Sequence, residues 1–147
     1  MRILLVSPSA PDERRGNTTT AGRWTRLLTE LGHEATFATE LLEGDFDLLV
    51  ALHANKGADA VRRFRKAHPE RPIVLALTGT DLYRDLPDDE GAREALALAD
   101  RLVALQPRAR EALPLRHRER LVVIYQSVEP VPPVDALPPG VPADRFP

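Results

Sequence analysis

The 147-residue sequence predicts an α/β fold, a parallel sheet of about six strands flanked by helices, and three observations carry that prediction. Short apolar runs recur along the whole chain. Stretches with apolar residues at helical spacing separate them. The runs themselves are almost continuously apolar, as in strands covered on both faces, where a half-solvated strand would alternate. This βα alternation is the pattern of a Rossmann-like sheet.

Arg2–Val6 reads as the first strand, followed by a loop rich in Pro, Ser, Arg and Gly from Ser7 to Gly16. Ala21, Trp24, Leu27, Leu28 and Leu31 then form one stripe at helical period, with Asn17 or Thr18 as the expected cap and Gly32 as the expected left-handed stop. Trp24 belongs on this reading to the core. Glu34–Ala38 and Leu48–Leu52 are the second and third strands. Gly57–Ala67 is a basic amphipathic helix with Ala58, Val61 and Phe64 inward and Arg62, Arg63, Arg65 and Lys66 in solvent. Pro69 and Pro72 end it before a fourth strand, Ile73–Leu77. A loop at 78–81 leads through Leu82–Leu86 to a helix near Asp88–Ala99, whose first turn carries acids that suit the helix dipole. Leu102–Leu105 is a fifth strand, Pro107 opens a short helix, and Leu121–Tyr125 is a sixth strand. Residues 1–128 thus form one expected domain. Glu129–Pro147 holds seven prolines and no periodicity, which reads as a stiff linker to a companion domain absent from this sequence.

Composition narrows the function classes. The chain is 43% hydrophobic and 29% charged, and it has no apolar run near the roughly 18–20 residues that span a bilayer. The apolar start stops at Ser7-Pro8, too soon for a secretory signal core. The sequence has no cysteine, so it offers no disulfide, thiolate ligand or Cys nucleophile and is compatible with a cytoplasmic location. A net charge of −2 points neither to nucleic acid nor to anionic membranes. Function must therefore lie in local sites.

In an open parallel sheet, ligands bind at the carboxyl ends of the strands. The first such loop, with Arg14, Arg15, Gly16, Asn17 and Thr18–Thr20, sets cations and hydroxyls beside free backbone N–H groups at a helix start and suits an anion. It is neither a Walker A loop nor a dinucleotide fingerprint, and its bland reading is a solvated, hydroxyl-capped helix start. Thr78, Gly79, Thr80 and Asp81 combine hydroxyls, a close-approach glycine and a carboxylate that could serve as base or merely as a cap. His53 follows a buried strand and would face the same cleft as base or oxyanion donor, or stay structural. Tyr83, Gln106, Tyr125, Gln126 and Ser127 would line the cleft toward the companion domain. His33, His68 and His117 read as surface residues, and no spacing suggests a metal site. The Arg62–Arg65 run lacks interleaved aromatics and reads as a solvated helix face.

These segments also carry a resemblance. Met1-Arg2-Ile3-Leu4-Leu5-Val6-Ser7-Pro8, Gly16-Asn17 leading to Ala21-Gly22-Arg23-Trp24, and the Leu31-Gly32-His33 helix end are similar to the N-terminal domain of family-4-like GT-B glycosyltransferases. The more distinctive Leu77-Thr78-Gly79-Thr80-Asp81-Leu82-Tyr83-Arg84-Asp85 and Tyr125-Gln126-Ser127 segments resemble, more narrowly, the selenosugar synthases of selenoneine biosynthesis. The resemblance spans residues 1 to about 130. It implies an acceptor-binding half that works with a donor-binding C-terminal domain, without a metal or other cofactor. It also implies a reaction that joins selenophosphate to the sugar of a UDP-sugar with loss of UDP. Selenophosphate would meet the Gly16-Asn17 amides and Arg14, Arg15 or Arg23, with Thr80, Asp81 and His53 near the reacting carbon. Taken alone, this half is expected to bind acceptor weakly and turn over poorly. A general family-4 transferase acting on hydroxyl acceptors and a non-catalytic, flavodoxin-like anion-binding module are the rival expectations.

Overall fold

The computed structural model describes residues 1–9 and 16–126, so Arg14, Arg15, Ser127 and the proline-rich 129–147 segment lie outside the described residues. The apolar runs become strands because their side chains have helices or neighbouring strands to bury against. β1 (Arg2–Val6), β2 (Glu34–Ala38), β3 (Leu48–Leu52), β4 (Ile73–Leu77), β5 (Arg101–Ala104) and β6 (Leu121–Val123) form one six-stranded sheet in the order β2-β1-β3-β4-β5-β6. Every pairing is parallel, as a Rossmann-like α/β fold requires. No helix among the described residues is long and apolar enough to cross a membrane.

The alternation of Cβ directions along each strand divides the core in two. On one face Leu4, Val6, Leu49, Ala51, Leu75 and Leu102 pack under α2 (Ala58–Ala67) and α3 (Glu90–Leu98), through Val61, Phe64, Ala92, Ala95 and Leu96. On the other face Ile3, Leu5, Val50, Leu52, Ala76 and Val103 form a second cluster with Ala21 of α1 (Gly16–Glu30), and Trp24 and Leu28 of the same helix pack against it. Six strands about 4.8 Å apart span roughly 24 Å, whereas a single helix with its side chains is about 10–12 Å wide. The α1 face is therefore only partly roofed by the described residues. A cavity of about 390 Å³ with Trp24, Leu28, Val74, Val103 and Ile124 in its wall marks the open portion.

Helix ends follow their sequence signals with some corrections. Gly32 has φ +84, and His33 N–H donates to Leu28 O at 3.0 Å, the left-handed stop expected of glycine. α1 starts at Gly16, so Asn17 and Thr18 lie inside its first turn and do not cap it from outside. Its stripe is also shallower than the period suggests: Ala21 is buried, Trp24 is half-buried, and Leu31 is 74% exposed. α3 begins after Asp89, whose carboxylate accepts from Ala92 N–H at 2.6 Å. Leu82 does not extend a loop: Asp81–Asp85 forms one π-helical turn. A four-residue helix α4 (Ala109–Ala112) and a 3-10 turn (Leu115–Arg120) then lead to β6, which ends at Val123, short of Tyr125. The basic face of α2 is paired as well as solvated. Arg62 meets Glu94, and Arg65 donates to the carbonyls of Pro69, Arg71 and Leu98 and pairs with Asp100.

A candidate ligand rim at the strand carboxyl ends

Because all six strands run the same way, their carboxyl ends form one rim. The chain passes from β1 to β2 on one side of the sheet and then to β3 on the other side of β1, which makes the β1–β3 boundary the switch point where open α/β sheets bind ligands. Val6 pairs with Ala51 there, so Ser7 and His53 leave adjacent strand ends. Ser7 is fully buried, and its Oγ has no hydrogen-bond partner among the described residues. A buried hydroxyl without a partner is costly, and a ligand atom at the switch point would satisfy it.

His53 turns the chain at the end of β3. Its N–H donates to Ala76 O at 2.9 Å and completes the sheet ladder, and its carbonyl accepts from Gly57 N–H at 2.8 Å. Its φ of +75 lies in the left-handed region that side chains avoid. Gly57 makes the turn possible, since a Cβ there would come within 2.9 Å of His53 O and 3.2 Å of Leu52 O. The imidazole is buried, at 2% exposure. Nδ1 accepts a long hydrogen bond from Lys56 N–H at 3.4 Å, which assigns the proton to Nε2. Nε2 lies 3.3 Å from Thr80 Oγ1 and 3.9 Å from Asp85 Oδ2. Burial holds the ring below its ordinary value of 6.5; Asp81 and Asp85 pull it upward, and Lys56 and Arg84 push it further down. At neutral pH, His53 is thus a neutral imidazole whose Nε2–H can donate.

Asp81 sits at the centre of this arrangement with 0% exposure. Its Oδ2 accepts from Ala54 N–H at 2.8 Å, and its Oδ1 accepts from the N–H groups of Thr78 and Gly79, both at 2.9 Å. The carboxylate is consumed by three backbone donors and has no exposed oxygen to abstract a proton from a ligand. It is a positioning residue: it ties the loop after β3 to the loop after β4 and fixes a negative charge beside His53. Gly79 makes the second loop possible through its φ of +117. Asp85, on the same π turn, accepts from Arg84 Nε at 2.8 Å, a bond that holds its carboxyl below the usual value. The rim opens beside this turn into a cavity of about 370 Å³ bordered by Asn55, Lys56, Arg84 and Asp85.

The other expected site residues fall into two further groups on the rim. Gln106 at the end of β5 donates to the Tyr83 hydroxyl. Gln126, past β6, donates to Thr20 Oγ1, which itself donates to Gly16 O at 2.9 Å, so the end of the sheet is tied to the start of α1. That helix has no acidic residue in its first turn, a condition that favours an anion there, and Thr18 and Thr20 are buried while Arg23 is half-buried. Tyr125 is 69% exposed. Ser7 and Lys56 lie in the strand-end segments 7–20 and 53–56 that the sheet rule singles out, though neither was named as a site residue, and Asp85 lies outside them. Ser7 had a signal, a small polar residue ending an apolar strand, and Asp85 another, four residues after Asp81 at helical spacing. His117, expected on the surface, is buried between Arg116 and Arg120.

Among the described residues, no group of three or more His, Asp or Glu is placed to hold a metal ion. No protein-family model matches the chain, and no curated protein matches it.

Proposed function

We propose that this chain is the acceptor-side domain of a GT-B-type glycosyltransferase and, in the narrower form of that reading, that the acceptor is selenophosphate and the donor a UDP-sugar. The observation that carries the proposal is His53: a buried, neutral imidazole in a left-handed backbone conformation at the switch point, with Nε2–H facing the Thr80 hydroxyl and the Asp85 carboxylate. Backbone strain of this kind, about 1–3 kcal/mol, concentrates at functional sites. In the proposed reaction His53 and Thr80 donate hydrogen bonds to the acceptor anion, the acid-free start of α1 and Lys56 offset its charge, and Asp81 keeps the two loops in register. Charge neutralisation and positioning then supply most of the rate, with no demand for a strong base.

The test uses the protein from its full reading frame and follows UDP release from a panel of UDP-sugars, with selenophosphate or hydroxyl compounds as acceptor. Selenophosphate-dependent release supports the narrow form, and release with hydroxyl acceptors alone supports a general family-4 transferase. His53→Ala should lower turnover on the order of 10²–10³-fold, as loss of one positioned hydrogen-bond donor does. Wild-type turnover in His53→Ala removes His53 from the chemistry. Binding of phosphate without UDP release from any sugar replaces the enzyme with a non-catalytic anion-binding module.

A further inference from the structure

A further cavity, of about 430 Å³, lies between α3 and the α4–3-10 segment. Leu86, Leu96 and Leu113 give it an apolar wall, and Arg93, Arg116 and His117 give it a basic one. None of the rim side chains described above lines it. The size is within the range of small-molecule sites, about 300–1,000 Å³.

The basic wall is under-supplied with acceptors. Arg93 Nη1 donates to Pro87 O at 2.7 Å, and among the described residues neither Arg93, Arg116 nor Arg120 pairs with a carboxylate. His117 is 4% exposed and faces a guanidinium at each ring nitrogen: Arg120 Nη2 at Nδ1, and Arg116 Nε at Nε2, 3.1 Å away. A neutral imidazole has one lone pair to offer, so only one of these contacts is a hydrogen bond. Arg120 is held in place by the carbonyls of Leu96 and Ala99 at the end of α3 and keeps Nδ1. The proton then sits on Nε2, where it meets the N–H of Arg116 donor to donor. Burial and the two neighbouring guanidinium groups hold the ring neutral, so the mismatch is not relieved by a change of charge. Two convergent donors at the wall of an apolar cavity call for an acceptor that the described residues do not supply.

We propose that this cavity binds a small organic anion, a carboxylate or phosphate monoester whose charged end lies between Arg116, Arg93 and His117 Nε2–H and whose apolar body rests on Leu86, Leu96 and Leu113. The anion satisfies the unmatched donors, and the leucines retain an occupant that inorganic phosphate alone would not provide.

Titration calorimetry of the full chain with benzoate, phenyl phosphate, inorganic phosphate and neutral benzyl alcohol tests this, with amide chemical shifts of Arg93, Leu113 and His117 to locate binding. Benzoate or phenyl phosphate should bind and move those amides, and the tighter of the two identifies the headgroup. Benzyl alcohol and inorganic phosphate should each bind about tenfold more weakly or not at all. Arg116→Gln and Arg93→Gln, both exposed positions whose replacement leaves the core intact, should each weaken binding about tenfold with an unchanged circular dichroism spectrum. Equal affinity for benzyl alcohol and benzoate, unaltered affinity in both variants, or shifts confined to the rim would overturn the proposal. So would an absence of binding at tens of millimolar.

Discussion

Replacing Asp81 by Asn removes one charge and leaves the side-chain volume almost unchanged, which isolates what the carboxylate does. Its oxygens accept from Ala54 N–H at 2.8 Å and from Thr78 and Gly79 N–H at 2.9 Å. Asparagine has a single acceptor oxygen, and its NH₂ group only donates. The best placement keeps that oxygen on the Thr78 and Gly79 amides and turns the NH₂ against Ala54 N–H. One charge-assisted bond is lost, two are weakened to neutral strength, and a buried donor faces another donor. With about 1.5–3 kcal/mol for a bond to a charged group and about 1 for a neutral one, the expected loss is roughly 3 kcal/mol. Asp81→Ala leaves all three amides unmet and should cost about 4–5 kcal/mol. Urea unfolding near neutral pH, followed by far-UV circular dichroism, measures both. An Asp81→Asn protein within about 0.5 kcal/mol of wild type would refute the account. An alanine variant no worse than the asparagine one would show that the three amides are not what the carboxylate serves.

Gly57→Ala places a methyl group 2.9 Å from His53 O and 3.2 Å from Leu52 O, both backbone atoms that cannot swing aside. It should cost about 2–3 kcal/mol and lower the melting temperature by about 2–4 °C for each kcal/mol; an unchanged melt would contradict the close approach. Gly79→Ala meets no atom within 4 Å and pays only for its φ of +117, so a loss of about 1–3 kcal/mol is expected, and tolerance of every residue type there would contradict the turn geometry. Stability should also depend on pH. His53 and His117 are held below 6.5, so the unfolded chain binds protons that the folded chain refuses. Stability is then full above pH 6.5 and declines as pH falls below it, with a smaller second decline at more acidic pH as exposed Asp45 and part-buried Asp85 and Glu94, held below their usual values, are protonated. Unfolding free energies that stay flat through the histidine range would contradict both burials.

Strands were legible wherever an apolar run had two neighbours to pair with, as at Leu48–Leu52 and Ile73–Leu77. The sixth was overextended because β6 is an edge strand: Val122, Ile124 and Tyr125 are 49%, 46% and 69% exposed, so apolar character there does not report a paired interior position. Leu31 misled for a related reason, since it lies just past the end of α1 and is 74% exposed. The position of Asp81 at a strand end was readable, but its consumption by amides was not, because Ala54 reaches it from 27 residues away in the chain. His117 sits in a basic stretch that looks solvated at helical period, and the 3-10 turn, with its period of three, rotates that one residue inward. Local chemistry was visible in the residues, and burial created by distant segments was not.

The Asp81 knot has a kinetic consequence. Ala54, Thr78 and Gly79 share one acceptor, so their amides cannot be released to solvent singly without stranding the carboxylate. Deuterium should enter all three positions at a common rate, set by the same opening event. The two loops then rise and close as one flap, and any occupant of the rim slows exchange at all of them together.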